Sequence, residues 1–210
     1  MVRTKSDGKR REIIRVAAES FQELGFERTS MLTIAERMRG SKQTLYNYFD
    51  SKEALLRAVL DFDVGEAADL ALGKTQLEKG LRGQLARLGE IYLERQLAPL
   101  AISNIRIVAT QPAETGIGED FYRNILCPAW KRVAEVFNAL MAEGKLRRAD
   151  PWVAVMHFKG LVTQDLLERH LLNAAKQTDS KEIKLAVKQA VDAFLRIYGI
   201  DEPKPRKARG

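Results

Sequence analysis

The chain has 210 residues, 45% of them apolar and 30% charged, with a net charge of +7. That balance suits a globular protein of one or two domains and excludes collagen-like, disulfide-framed and wholly disordered chains. No run of ~18 apolar residues occurs, so no membrane-spanning helix is expected; the best stretch, Trp152 to Val162, carries His157 and Lys159.

Twelve basic and eight acidic residues fall in the first 60 positions, placing +4 of the net +7 there. Such a bias attracts phosphate backbones or anionic surfaces. Met1 to Glu12 is basic but leads into no apolar signal core, which argues against export. Cys127 stands alone. An internal disulfide is therefore ruled out, and the cytoplasm is the default compartment.

Taken in chain order, nearly every segment reads as helix. Ile13, Ala17, Phe21 and Leu24 form one apolar stripe, and Gly25 fits a C-cap. Met31, Ile34, Ala35 and Met38 form a second, short stripe, broken by Arg39-Gly40-Ser41. Ser41 can cap a third helix over Lys42 to Phe49. Asp50 and Glu53 have capping-box spacing for a fourth helix through about Leu72, ended by Gly73. Further helices are expected near 76–97, 99–110, 118–143, 151–173 and 180–199, with a kink or split at Pro128. No strand alternation persists. The expected fold is all-α: residues 1–50 as one domain, 51–200 as a larger helical domain sharing the helix from 51, and 201–210 as a disordered basic tail.

Three short helices with a tight turn between the second and third describe a helix-turn-helix unit. At 100° per residue, Lys42, Gln43, Tyr46 and Asn47 share one face of the third helix; Leu45 and Phe49 share the opposite one. Amide, hydroxyl and cationic groups on an exposed helix face suit the major groove, where Gln and Asn pair with adenine edges and Lys with guanine. Lys52 and the amides at the next helix start can hold a phosphate. Spacing alone leaves this open against a solvated amphipathic helix in an ordinary bundle. The basic arm of Arg3, Lys5, Lys9, Arg10 and Arg11 is either a minor-groove arm or, preferably, a frayed terminus.

These residues resemble a known family. Thr29-Ser30-Met31, Ile34-Ala35-Glu36, the run Ser41 to Phe49, and Ser51-Lys52-Glu53-Ala54-Leu55-Leu56 resemble the TetR family of bacterial transcription regulators over about residues 10–60. His157-Phe158-Lys159-Gly160-Leu161, with Arg169 to Leu172, is similar to the AefR-type subgroup. The resemblance implies that Lys42, Gln43, Thr44, Tyr46, Asn47 and Tyr48 face double-stranded DNA. It also implies that Lys52 contacts phosphate and that Ser30 and Thr33 reach DNA. One departure stands out: Arg39 then Gly40 replace the family's glycine followed by a small apolar residue. Either the turn shifts its glycine by one position, or Arg39 accepts the left-handed conformation and points at the DNA backbone.

In the larger part no catalytic or metal-binding arrangement stands out, so neither an enzyme nor a cofactor is expected. Apolar bulk is spread over several helices, and a packed core is the plainer reading of any one residue. The resemblance implies a cavity with a small-molecule effector, and the apolar candidates to line it, Phe62, Tyr92, Ile102, Ile105, Phe121, Trp130 and Phe158, favour a mainly apolar one. The last two amphipathic helices either close the core or pair with a second copy. By resemblance the homodimer is preferred, with Leu166, Leu167, Leu171, Val187, Val191 and Phe194 at the contact. The expected function is a ligand-released repressor on a palindromic operator. The alternatives are an all-α carrier or enzyme for an apolar compound, and an architectural DNA-binding protein without an effector.

Overall fold

The computed structural model describes residues 5–75, 80–175 and 177–200. Eleven helices carry the fold of these residues: α1 Lys5–Leu24, α2 Met31–Arg37, α3 Lys42–Tyr46, α4 Lys52–Thr75, α5 Leu81–Gln96, α6 Pro99–Thr110, α7 Ile117–Asp120, α8 Cys127–Ala142, α9 Pro151–Thr163, α10 Leu166–Leu171 and α11 Ser180–Tyr198. Among them no strand forms; a lone antiparallel bridge joins Leu146 and Gly199.

Two hydrophobic clusters organise the chain. The first gathers Ile13, Ala17 and Phe21 of the predicted α1 stripe, leaving Leu24 half-buried outside it, and the α2 stripe with Leu45 and Phe49 and the start of α4, where Leu55, Leu56 and Val59 are buried. Phe121 and Ile125, far along the chain, also belong to it. The second cluster joins α5, α8, α9 and α11 around Phe137, Phe158 and Phe194, whose ring centroids lie 5.4–5.7 Å apart in edge-to-face contact. Gly89 on α5 lets α9 and α11 approach: a Cβ there would meet Val187 Cγ1 at 2.9 Å.

Several local expectations change. The fourth helix is capped by Ser51, whose Oγ accepts from the Ala54 amide at 3.0 Å, so Asp50 is not the cap. It also runs through Gly73 to Thr75. The predicted helix over 151–173 is two helices. Gln164 takes φ 45, and its side-chain amide donates to the Ala186 carbonyl at 3.2 Å, anchoring the break to α11. The first helix begins at Lys5, and Arg10 stacks over Phe49 at 5.2 Å, so this part of the basic arm is ordered helix; Arg3 and the 201–210 tail lie outside the described residues. The split expected near Pro128 takes the form of a π-helical turn, Phe121–Leu126, that leads directly into α8. Proline lacks the amide that an α-helix would bond one turn back, and a wider turn just before it accommodates that loss.

Candidate nucleic-acid interface and effector cavity

The turn between α2 and α3 is built from two caps. Gly40 N donates to the Ala35 carbonyl at 3.0 Å and Arg39 N to that of Glu36 at 2.9 Å, the paired bonds of a Schellman ending. The left-handed position of that motif falls on Arg39, at φ 51, and not on Gly40. Ser41 then caps α3, its Oγ accepting from the Thr44 amide at 3.0 Å. Leu45 is wholly buried and Phe49 nearly so. They hold α3 by one side.

The opposite side is open. Lys42, Gln43, Tyr46 and Asn47 are exposed, with Thr44 and Tyr48 half-buried beside them. Gln43 Nε2 donates to Asn47 Oδ1 at 3.2 Å, and the Lys42 ammonium lies 5.6 Å from the Tyr46 ring centroid. These contacts run along the open face and order it. Ser30 caps α2, accepting from the Thr33 amide at 3.0 Å, and its hydroxyl meets that of Thr33 at 2.9 Å on the surface. Lys52 is arranged differently from the rest. Its ammonium donates to the Phe26 carbonyl at 2.9 Å and sits 4.2 Å from the Phe26 ring centroid, tying α4 to the end of α1.

A second site lies between α4, α5, α6, the π turn, α8 and α9: a cavity of about 100 Å³. Ala67, Ala68, Ala71, Ala101 and Ala129 make room for it, and Tyr92, Trp130 and Phe158 supply aromatic wall. Tyr92 and Trp130 meet edge-to-face at 4.9 Å, and burial pushes the Tyr92 phenol well above its ordinary value. Asp63 and Arg95 also line it. The Asp63 carboxyl is raised by burial, an effect opposed by a hydrogen bond from Asn104 Nδ2 at 3.2 Å and by the charge of Arg95, and reinforced by Glu66.

Of the seven candidate effector residues, only Tyr92, Trp130 and Phe158 line this cavity. Phe62 and Phe121 pack with the first cluster instead, and Ile102 and Ile105 sit on α6 outside the wall. The dimer candidates need a sharper correction. Leu166, Val187, Val191 and Phe194 are 2% exposed or less, because they form this chain's own core and leave no surface for a second copy. Leu167 and Leu171 are half-buried. Sequence reasoning missed Asp63. The signal was a charge inside an apolar stripe, since Leu56, Val59, Asp63, Ala67 and Ala71 recur at helical spacing.

The family models for bacterial regulatory proteins of the tetR family and for the AefR-like transcriptional repressor C-terminal domain match residues 13–59 and 83–200. The chain belongs to the TetR family. The helix-turn-helix of α2 and α3 is thus the DNA-binding unit of a TetR transcriptional regulator. Among solved structures, a TetR-family transcriptional regulator from Mesorhizobium loti MAFF303099 is 25% identical, covers 94% of this chain and 100% of its own, and has a TM-score of 0.85. The flavonoid-responsive regulator FrrA is 27% identical over 92% of this chain and 98% of its own, with a TM-score of 0.69. FadR from Bacillus subtilis, solved with stearoyl-CoA, shares the TetR fold at 15% identity, 88% and 96% coverage and a TM-score of 0.71. No curated protein matches. Among the described residues no helix is long and apolar enough to cross a membrane, and no group of three or more His, Cys, Asp or Glu could hold a metal ion.

Proposed function

We propose that the protein is a cytoplasmic, homodimeric repressor that grips a palindromic operator with α3 of each protomer and lets go when a small, mainly apolar molecule fills the cavity. The observation that carries this reading is the open face of α3. Gln43, Tyr46 and Asn47 are held outward while Leu45 anchors the helix from behind. Lys42, Thr44 and Tyr48 flank the base-reading residues, and Ser30 and Thr33 approach phosphate from the start of α2. Lys52 retains one ammonium hydrogen beyond its two carbonyl partners, Phe26 and Glu27, for a phosphate contact. The reading includes no catalytic step and no cofactor, and it places the domain division near Asp50.

The coupling from effector to DNA follows from shared elements. α4 carries Leu55, Leu56 and Val59 into the core of the DNA-binding unit, and Asp63, Val64 and Ala67, one to three turns on, into the cavity wall. The π turn and α8 repeat the arrangement, with Phe121 and Ile125 in the first core and Leu126 and Trp130 at the cavity. Arg57 of α4 also pairs with Asp120 at 2.5 Å. A molecule that parts α4 from α8 therefore moves the DNA-binding unit. It shifts occupancy only by its difference in affinity for the two arrangements. The names of FrrA, which is flavonoid-responsive, and of FadR with stearoyl-CoA support a largely apolar effector.

With Val187, Val191 and Phe194 committed to the core, the outer face of α9 and α11 becomes the dimer contact. Val153, His157 and Gly160 line one side of α9 in the open, Gln164 is exposed just past its end, and Leu185 and Gln189 are exposed on α11. Gln164 reaches Gln189 at 3.5 Å, so the two exposed faces are continuous.

Selection of bound duplex from a random pool at stated salt tests the reading. The expected product is a palindrome with half-sites one helical turn, about 34–36 Å, apart or a multiple of it. A pool without enrichment would overturn it.

A further inference from the structure

The cavity wall holds one carboxyl that the fold uses at one oxygen only, among the described residues. Asp63 is half-buried in the apolar stripe of α4, where it lines the cavity. Burial raises its pKa, so holding the charge there is unfavourable. Asn104, itself 3% exposed, donates to Oδ2 at 3.2 Å and fixes the orientation of the carboxyl. Among the described residues no other hydrogen bond to this carboxyl is formed, and Asp63 lines the cavity, so a bound molecule can approach the carboxyl from there.

The other walls restrict what that donor belongs to. Tyr92, Trp130 and Phe158 offer ring edges and faces, which suit a flat aromatic body. Two cations stand close by: Arg95 lines the cavity, and the Lys159 ammonium lies 5.6 Å from the Trp130 ring centroid. They oppose a positively charged guest. Asp63, with Glu66 on the same helix, opposes a negatively charged one. An uncharged donor remains, and O–H makes a shorter, stronger hydrogen bond to a carboxylate than N–H.

We propose that the effector is an uncharged hydroxylated aromatic compound that sits against the Tyr92–Trp130 pair and donates its hydroxyl to Asp63. The proposal rests on the reading of this cavity as the effector site and adds Asp63 as the residue that sets specificity.

The test is calorimetric titration of the full chain with four probes of one shape: naphthalene, 2-naphthol, 2-naphthoate and 2-naphthylmethylammonium. The expected result is 2-naphthol bound at least ~10-fold tighter than naphthalene and than either ion, a gap of about 1.4 kcal/mol. Asp63→Leu should abolish that preference while naphthalene binds as well or better. Asp63→Asn, which keeps the shape and an acceptor oxygen, should retain part of it. Equal binding of naphthalene and 2-naphthol by the unaltered chain, or a preference that survives Asp63→Leu, overturns the assignment of Asp63 and leaves the cavity reading standing. Tighter binding of either ion overturns the choice of an uncharged guest. Failure of all four probes to bind overturns both the proposal and the cavity reading beneath it.

Discussion

Arg39 offers a sharp test because strain and function meet in one residue. A non-glycine residue in the left-handed region costs roughly 1–2 kcal/mol, and Arg39 lies there at φ 51 in the turn that aims α3. Replacing it with glycine removes that cost but adds roughly 0.5–1 kcal/mol through the greater freedom of the unfolded chain. The side chain is exposed, and no hydrogen bond or ion pair of it is among those formed by the described residues, so its loss costs little. The net expectation for Arg39→Gly is a gain centred on about 0.75 kcal/mol and at most about 1.5, or about 2–3 °C in melting temperature at the centre for a chain of this size. Arg39→Ala keeps the strain and removes the same guanidinium, so it should show no such gain. Calorimetric melting of the three proteins side by side is the assay. If glycine proves no more stable than alanine, the strain argument is wrong. The same pair of variants separates strain from DNA contact. If Arg39 touches the DNA backbone, both should lower the salt dependence of operator binding by about one phosphate equivalent.

Three further outcomes are expected. Phe194→Ala, which empties the centre of the aromatic triad, should cost about 3–5 kcal/mol in urea unfolding and should lower stability without requiring a second copy of the chain. Ser51→Ala should cost about 1 kcal/mol as a lost N-cap, whereas Asp50→Ala should stay within about 0.5 kcal/mol; unfolding of the two variants distinguishes them. Asp63→Asn should raise the melting temperature at neutral pH. The carboxyl pKa is higher in the folded chain than in the unfolded one, so its contribution is fully present below the unfolded value of 3.8 and is lost as pH rises through the raised folded value. The advantage of asparagine should therefore shrink as pH falls toward the unfolded carboxylate range.

The DNA-binding unit was legible because its signals are local. Apolar spacing picked out the buried Ile13, Ala17 and Phe21 of α1 and the buried stripe of α2, Ser41 was readable as a cap, and the two faces of α3 followed from 100° per residue. The larger part was less legible. Periodicity shows which side of a helix is apolar, but not whether it covers its own chain or another. For that reason Val187, Val191 and Phe194 read equally well as interface and as core. The break at Gln164 carried no proline or glycine; it depends on a side-chain amide finding a carbonyl on α11, a contact between residues 22 apart in the chain. Which aromatic residues line the cavity depends on how six elements pack, so Trp130 and Tyr92 could not be told from Phe62 and Phe121 by type. The left-handed turn at Arg39 was one of two stated alternatives, and only the backbone decided between them.

The central claim is that the open face of α3 reads operator bases. It is tested most directly by titrating the selected duplex, at two salt concentrations, with the unaltered chain and with Tyr46→Ala, whose side chain is 39% exposed and outside the core. The account predicts an unchanged melting temperature and operator affinity weaker by about 1–3 kcal/mol at both salts, since a lost base contact, unlike a lost phosphate contact, leaves the salt slope intact. Undiminished operator affinity in a folded Tyr46→Ala protein would contradict it.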